Sequence, residues 1–132
     1  MAAVLGLLFA VTALASQTTV ITGCAHRPQV RPHKIVIACG DGNFYVDHLA
    51  WQRWNSRGAV AKGIAHQNDC NPKCARGHFH AYRATVSLSR VVSCVKGRRE
   101  FARTAWRLAA TPSRAPHSGS QTLTCRFLRL RP

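Results

Sequence analysis

The clearest regularity in the chain is an alternation of apolar and polar residues between positions 78 and 92. One face of this segment would carry Tyr82, Ala84, Val86 and Leu88, and the other would carry Arg83, Thr85, Ser87 and Ser89. A period of two residues is typical of a β-strand with one buried face. The segment is therefore predicted to be a strand.

Shorter apolar or alternating runs predict five more strands, at positions 34–39, 44–54, 59–66, 100–110 and 121–130. Segments with Gly, Pro, Asn or Ser separate the runs and predict turns or loops, at 40–43, 55–58, 68–77, 95–98 and 111–120. Segment 44–54 is ambiguous, because Trp51 and Trp54 would also meet on a helix, but Trp and Tyr are enriched in strands. The pattern predicts an all-β fold, a small single-domain sandwich or barrel of about six strands.

The first residues predict a targeting segment. Residues 2–15 form an apolar run without a charge, and this run is shorter than the roughly 20 residues that a membrane-spanning helix needs. Together with Ala13-Leu14-Ala15, it predicts a signal peptide at 1–15 and a mature chain that begins at Ser16. Because no basic residue precedes the run, we expect the true start to lie upstream.

A lipoprotein signal at 1–23 is the alternative. Ile21-Thr22-Gly23-Cys24 resembles a lipobox, in which Cys24 would be acylated and would anchor the protein at the cell envelope. The polar residues at 16–19 and the odd number of cysteines that would remain argue against it. Residues 16–33, with Pro28 and Pro32, are predicted to be a flexible tether, and residues 34–132 are predicted to be the domain.

Six cysteines follow the leader, and export would oxidise them to disulfides. Six cysteines allow fifteen pairings, and the sequence does not select one of them. We expect two bridges among Cys39, Cys70, Cys74 and Cys94 that fasten the loop 68–77 to neighbouring strands, while Cys24 and Cys125 are possible further members.

A zinc site is the alternative use of two of these cysteines. Cys70, Cys74, His78 and His80 have loosely zinc-like spacing. An oxidising compartment and the lack of a C-x2-C pair argue against such a site, so no metal and no cofactor is predicted.

Three spaced motifs resemble small secreted, cysteine-containing proteins of actinobacteria. The motifs are Cys39-x-Asp41-x-Asn43-x-Tyr45, Leu49-x-Trp51-x-x-Trp54 and Asn68-Asp69-Cys70-x-Pro72-x-Cys74-Ala75-x-Gly77-x-Phe79. The resemblance covers positions 34–108. It implies export and a β-rich fold stapled by disulfides, but no activity, because the function of those proteins is unknown.

The charge points to anionic partners. The chain has 19 Lys and Arg residues against 4 Asp and Glu residues, and its net charge is +15. Such a charge attracts nucleic acid, anionic lipid or acidic wall polymers through a long-range field. The basic residues are spread along the chain and no nucleic-acid motif is present, so we expect salt-sensitive binding of polyanions and no specific nucleic-acid recognition. Trp51, Trp54 and Trp106 could form a stacking platform for sugars or bases, although a place in the core is the favoured interpretation.

Candidate catalytic residues are few. The best are His66, His78 and His80 near Asp69, with Arg83 able to hold an anionic group, because histidine is suited to acid–base cleavage of RNA near neutral pH. The sequence favours a non-enzymatic, monomeric exported module that binds an anionic surface polymer or a protein through loop 68–77. A secreted histidine-based nuclease is the alternative.

Overall fold

Six antiparallel strands follow one another in sequence and in space in the computed structural model, which describes residues 10, 16–110, 112, 116–123 and 125. The strands are β1 (Ile35–Val36), β2 (Phe44–Asn55), β3 (Gly58–Asn68), β4 (Phe79–Ser93), β5 (Arg99–Leu108) and β6 (Ser118–Thr122). The sheet order is β1-β2-β3-β4-β5-β6, and the sheet curls into a half-barrel. The prediction of an all-β fold with about six strands is confirmed.

The two faces of the sheet differ as the alternating pattern predicts. Across the three central strands, Ala61 lies opposite Val86, and Val86 lies opposite Trp106. Ala61 and Val86 are fully buried and Trp106 packs against the same core, so this is the inner face. One position along, Lys62, Thr85 and Arg107 pair in the same way, and they point outward because successive side chains alternate between faces.

The N-terminal segment lies against the open side of the curled sheet. Ile21 is 3 % exposed and belongs to the core cluster with Ile35 and Val46. Two indole N–H groups hold the segment, because Trp51 Nε1 donates to the carbonyl of Pro32 and Trp54 Nε1 donates to the carbonyl of Thr19, each at 2.9 Å. The described residues of the predicted tether are therefore packed on the domain.

One of the two prolines that suggest a linker belongs to the packed part of this segment. Pro32 is buried and its carbonyl accepts a hydrogen bond, whereas Pro28 is exposed. Cys24 is joined to Cys39 at the β1–β2 turn, which ties the segment to the sheet covalently. The predicted signal peptide at 1–15 lies outside the described residues except for position 10.

The six cysteines form three disulfides, Cys24–Cys39, Cys70–Cys74 and Cys94–Cys125. The prediction that the cysteines form disulfides is confirmed, but the expected pairing is wrong. Cys70 and Cys74 bond to each other within the loop 68–77, which they do not fasten to neighbouring strands. The other two bridges use Cys24 and Cys125, because the chain packs both of them beside the sheet. With its sulfur bonded to Cys39, Cys24 is not available for acylation in this structure.

The last strand begins and ends earlier than predicted. The alternation of Leu123, Cys125 and Phe127 predicts a strand at 121–130, whereas β6 covers 118–122. The pairing partners of β5 explain why β6 ends at Thr122. Its later half pairs with β6 as far as Arg103, but near Glu100 it pairs with Val20 instead. The N-terminal segment thus takes the edge along which β6 would continue; residues 126–132 lie outside the described part.

Candidate anion-binding site

Several basic side chains lie on the outer face of the sheet, and four of them are grouped across β3, β4 and β5. Lys62 and Arg107 flank Thr85 in one row across β3, β4 and β5, and Arg83 lies two positions before Thr85 on the same face. Arg103 lies four positions before Arg107 on that face. All four are exposed. We call Lys62, Arg83, Arg103 and Arg107 the cationic channel.

The channel contains a cavity that is open to solvent. Its volume is about 520 Å³, and its lining includes His48, Lys62, Arg83, Thr85 and Arg107. Neighbouring strands lie about 4.8 Å apart, so three strands bring Lys62 and Arg107 to within about 10 Å at their Cα atoms. Guanidinium groups and a hydroxyl around one cavity can hold a phosphate or carboxylate by charge-assisted hydrogen bonds.

A β-bulge places His48 at the cavity. Asp47 pairs with Ile64 and Ala50 pairs with Lys62, so His48 and Leu49 together lie opposite Gly63. The bulge sends Leu49 into the core, where it is 7 % exposed, and leaves the His48 ring outside. Gly63 permits the bulge, since a Cβ there would lie 2.6 Å from the Asp47 carbonyl oxygen.

Asp47 fixes two imidazole rings at this end of β2. Its Oδ1 lies 2.8 Å from His48 Nδ1 and 2.9 Å from His66 Nε2. Partial burial opposes ionisation, but the hydrogen bonds and charges of the two rings outweigh it and lower the pKa of Asp47 below its ordinary value. The carboxylate is thus committed to the histidines beside the channel.

The remaining three carboxylates are bound away from the channel. Asp41 accepts the Asn43 backbone N–H in its own turn, Asp69 holds the loop 68–77, and Glu100 is buried beside Arg98. Among the described residues, no side-chain carboxylate pairs with a member of the channel. The channel therefore keeps its positive charge for a partner from outside.

Hydroxyl groups extend the channel towards β6. A second cavity beside the first is lined by Thr85, Ser87, Arg103, Arg107, Ser118 and Ser120. The Arg103 guanidinium donates a 3.2 Å hydrogen bond to Ser120 Oγ, which holds one end of the side chain over the sheet. Hydroxyl groups donate to anionic oxygens without adding charge. The two cavities lie side by side across β3 to β6. The first combines basic side chains with the apolar Ile64, Ala84 and Leu108, and the second is lined mainly by hydroxyl groups and two arginines.

The structure brings together only part of the predicted catalytic set. His80 Nε2 lies 3.0 Å from Asp69 Oδ2, whereas His78 meets Asp69 through its backbone N–H, at 3.0 Å from Oδ1. His66 contacts Asp47 instead. Positions 80 and 83 differ by an odd number on a strand with continuous register, so His80 and Arg83 lie on opposite faces of β4.

Asp69 has a structural task in the loop 68–77. Backbone N–H groups of His78 and Asn71 and the ring of His80 all contact its carboxylate, and these contacts lower the pKa of Asp69 far below its ordinary value. Asn68 works in the same way, because it bonds Asn43, Cys74 and the Cys70 backbone. The Asn68-Asp69-Cys70 motif is thus explained by loop geometry.

Cys70 and Cys74 are bonded to each other, so they do not provide the two thiolate ligands that the alternative zinc site requires. In the part of the chain that the structure describes, no group of three His, Cys, Asp or Glu side chains could hold a metal ion.

Each of the three tryptophans packs edge-on against another aromatic ring beside the core, Trp51 against Trp54, Trp54 against Phe101 and Trp106 against Phe44. These contacts support the interpretation that the tryptophans belong to the core.

Sequence reasoning identified Arg83 but missed Lys62, Arg103, Arg107 and His48. The alternation of apolar and polar residues at 78–92 predicts that Arg83 and Thr85 point away from the core. The alignment of Lys62 and Arg107 with Thr85 depends on strand register, and the position of His48 depends on the bulge opposite Gly63. The local signal for that bulge was Gly63, because a glycine inside a predicted strand often marks a bulge or a close backbone approach.

Compared with known proteins, the chain matches no family model, no curated protein and no solved structure. Among the described residues, no helix has the length and apolar character needed to cross a membrane.

Proposed function

We propose that the protein is an exported, non-enzymatic module that binds anionic polymers at or beyond the cell envelope through the cationic channel. The observation that carries this proposal is the clustering of Lys62, Arg83 and Arg107 around one open cavity. Asp47, the carboxylate beside this cavity, is bound by His48 and His66, and the other three side-chain carboxylates are bound elsewhere. Lysine and arginine side chains that project from neighbouring rows of a rigid sheet fit repeated phosphate or carboxylate groups.

Two further features support the proposal. The net charge of +15 would draw a polyanion to any face of the protein, and the channel would give it a defined place to bind. Three disulfides are compatible with an oxidising compartment. If the protein is exported as proposed, the intact mass from its natural source will match a chain that begins at Ser16 and has lost six hydrogens.

The nuclease alternative receives less support from the site. His78, His80 and Asp69 do not meet as three side chains. The His80 ring contacts Asp69 Oδ2, but Oδ1 is occupied by the backbone N–H groups of Asn71 and His78. If the purified protein cleaved RNA and the activity disappeared in His80→Ala, the non-enzymatic proposal would be wrong.

The test compares two double variants with equal loss of charge. Arg83→Ala/Arg107→Ala removes two members of the channel, and Arg57→Ala/Arg76→Ala removes two exposed arginines of the β2–β3 turn and the loop 68–77. Affinity for polyphosphate is measured by titration between about 50 and 200 mM salt. Each lost phosphate contact reduces the slope of log K against log salt by about 1, so we expect a change of about 2 for the channel variant.

The control variant should keep its slope within about 0.5 of the wild-type value, since a diffuse charge contributes little to a bound polymer's contacts. Equal slopes for the two double variants would show that net charge alone binds the polymer, and the channel proposal would be wrong.

A further inference from the structure

A second cluster on the outer face is aromatic. The rings of Tyr45 and His66 stack with centroids 4.7 Å apart and planes 16° apart, and the ring of Phe79 lies 5.9 Å from Tyr45. Lys34 Nζ lies 4.1 Å from the Tyr45 centroid, over the ring. We call Tyr45, His66 and Phe79 the aromatic patch.

Contacts on both sides hold the patch rigid. Tyr45 and His66 are cross-strand partners on β2 and β3, which gives their rings a close approach. The hydrogen bond from His66 Nε2 to Asp47 fixes the plane of the imidazole against Tyr45. Phe79 contacts this stack but remains 50 % exposed. A large apolar ring is thus presented to solvent on a preorganised support.

The aromatic patch and the cationic channel share one face. The register of β3 and β4 runs without interruption from the pair Asn68–Phe79 to the pair Ala59–Leu88. Phe79 and Arg83 are therefore on the same side of β4, about 13 Å apart at 3.3 Å per residue. One extended polymer can contact both clusters.

The combination selects one class of polyanion. Polycarboxylates supply negative charge but no ring that stacks, and a duplex hides the faces of its bases. Anionic polysaccharides can pack a sugar ring on an aromatic side chain, and the last outcome below distinguishes them. Single-stranded nucleic acid supplies phosphates for a basic groove and bases that stack on aromatic side chains without sequence preference. Resting on the proposed function, we infer that the polymer bound on this face is single-stranded nucleic acid, with a base stacked on Phe79 and phosphates in the channel.

The test uses two probes with the same backbone. One is an oligothymidylate of about twelve nucleotides, and the other is an abasic oligomer of the same length. We expect the wild-type protein to bind the first about tenfold more tightly, since stacking adds to the phosphate contacts. Phe79→Ala should bring this ratio to about one and change the affinity for the abasic oligomer by less than about twofold.

Further variants separate stacking from folding and from apolar contact. Phe79→Leu keeps an apolar side chain without a π face and should behave as Phe79→Ala does, while Phe79→Trp should keep the ratio. Val95→Ala is the matched control, because Val95 is also an exposed apolar residue and lies in the β4–β5 turn. Thermal melting of each variant checks its fold, and the ratio between the two oligomers is insensitive to a partly unfolded fraction.

The outcomes distinguish the two proposals. The wild-type protein could bind both oligomers equally, with Arg83→Ala/Arg107→Ala weakening both. In that case the cationic channel binds anionic polymers as proposed, but the assignment of single-stranded nucleic acid is wrong. If neither oligomer nor polyphosphate binds at low salt, the proposed function itself is wrong. If Phe79→Ala weakens binding of a sulfated polysaccharide instead, the ring stacks on sugar and the inference is overturned.

Discussion

The hydroxyl group of Thr22 donates a 2.7 Å hydrogen bond to Oε1 of Glu100, although 78 positions separate the two residues in the chain. Glu100 is fully buried, and the same oxygen receives the Arg98 side chain, with Nη2 at 2.6 Å. The parallel pairing of Val20 with Glu100 holds the backbones together at this point. A buried carboxylate thus fastens the N-terminal segment to β5.

Removing Arg98 should be costly, because it leaves the buried Glu100 carboxylate without its countercharge. Because the Arg98 side chain is 38 % exposed, water screens part of this pair, and we expect Arg98→Ala to lower the free energy of unfolding by about 1–3 kcal/mol. The neighbouring Arg99 is exposed, so Arg99→Ala should lower it by less than about 0.5 kcal/mol. Urea unfolding of both variants measures the difference. Similar losses of unfolding free energy in the two variants would mean that the Arg98–Glu100 ion pair does not stabilise the contact between the N-terminal segment and β5.

The three disulfides should contribute unequally, because they close loops of different length. Their sequence separations are 31 for Cys94–Cys125, 15 for Cys24–Cys39 and 4 for Cys70–Cys74. The chain-entropy relation gives about 3.7, about 3.0 and about 1.9 kcal/mol in that order. Paired Cys→Ser variants, compared by urea unfolding, measure the order. If the Cys70–Cys74 variant is the least stable of the three, chain entropy does not govern these crosslinks.

Gly63 should tolerate no side chain, because the bulge brings the Asp47 carbonyl to within 2.6 Å of the site of a Cβ atom. We expect Gly63→Ala to destabilise the protein by about 1–3 kcal/mol and to shift the NMR resonances of His48. Gly40 has open space around it, so Gly40→Ala serves as the control and should change stability by less than about 0.5 kcal/mol. Equal stability of the two variants would rule out the close approach.

Asp69 should make stability depend on pH in the acid range. Its pKa is lowered in the folded protein, first by the His78 backbone N–H and then by the His80 ring. Such a group adds stability that is complete above the ordinary Asp pKa of about 3.9 and is lost as pH falls towards the folded value. The stability advantage of wild type over Asp69→Asn should therefore shrink between about pH 5 and pH 2. A constant difference over this range would contradict the assignment.

The strands could be predicted from the sequence because the alternation of apolar and polar residues within each segment indicates which side chains are buried. The burial of Ala84, Val86 and Leu88 in β4 follows directly from their period of two. Segment 44–54 is a strand, as Trp51 and its neighbours indicate, although the bulge and the register opposite β3 were not readable from composition.

Three features could not be predicted from the sequence, because each depends on contacts between residues that are far apart in the chain. Ile21 lies in an irregular segment with prolines nearby, so no local signal marks it as a core residue. The pairing of Cys94 with Cys125 depends on where β6 ends, and that end depends on Val20 at the edge of β5. The cationic channel needs the register of three strands at once, whereas a single strand revealed Arg83 alone.

The most direct test of the account is to map a bound polyanion on the protein by NMR. Polyphosphate is titrated into isotope-labelled protein at low salt, and amide shifts are followed residue by residue. The account predicts the largest shifts at Lys62, Arg83, Thr85 and Arg107, with small shifts at the exposed Arg57 and Arg76. Shifts of equal size at every exposed arginine, or none in β3 to β5, would contradict it.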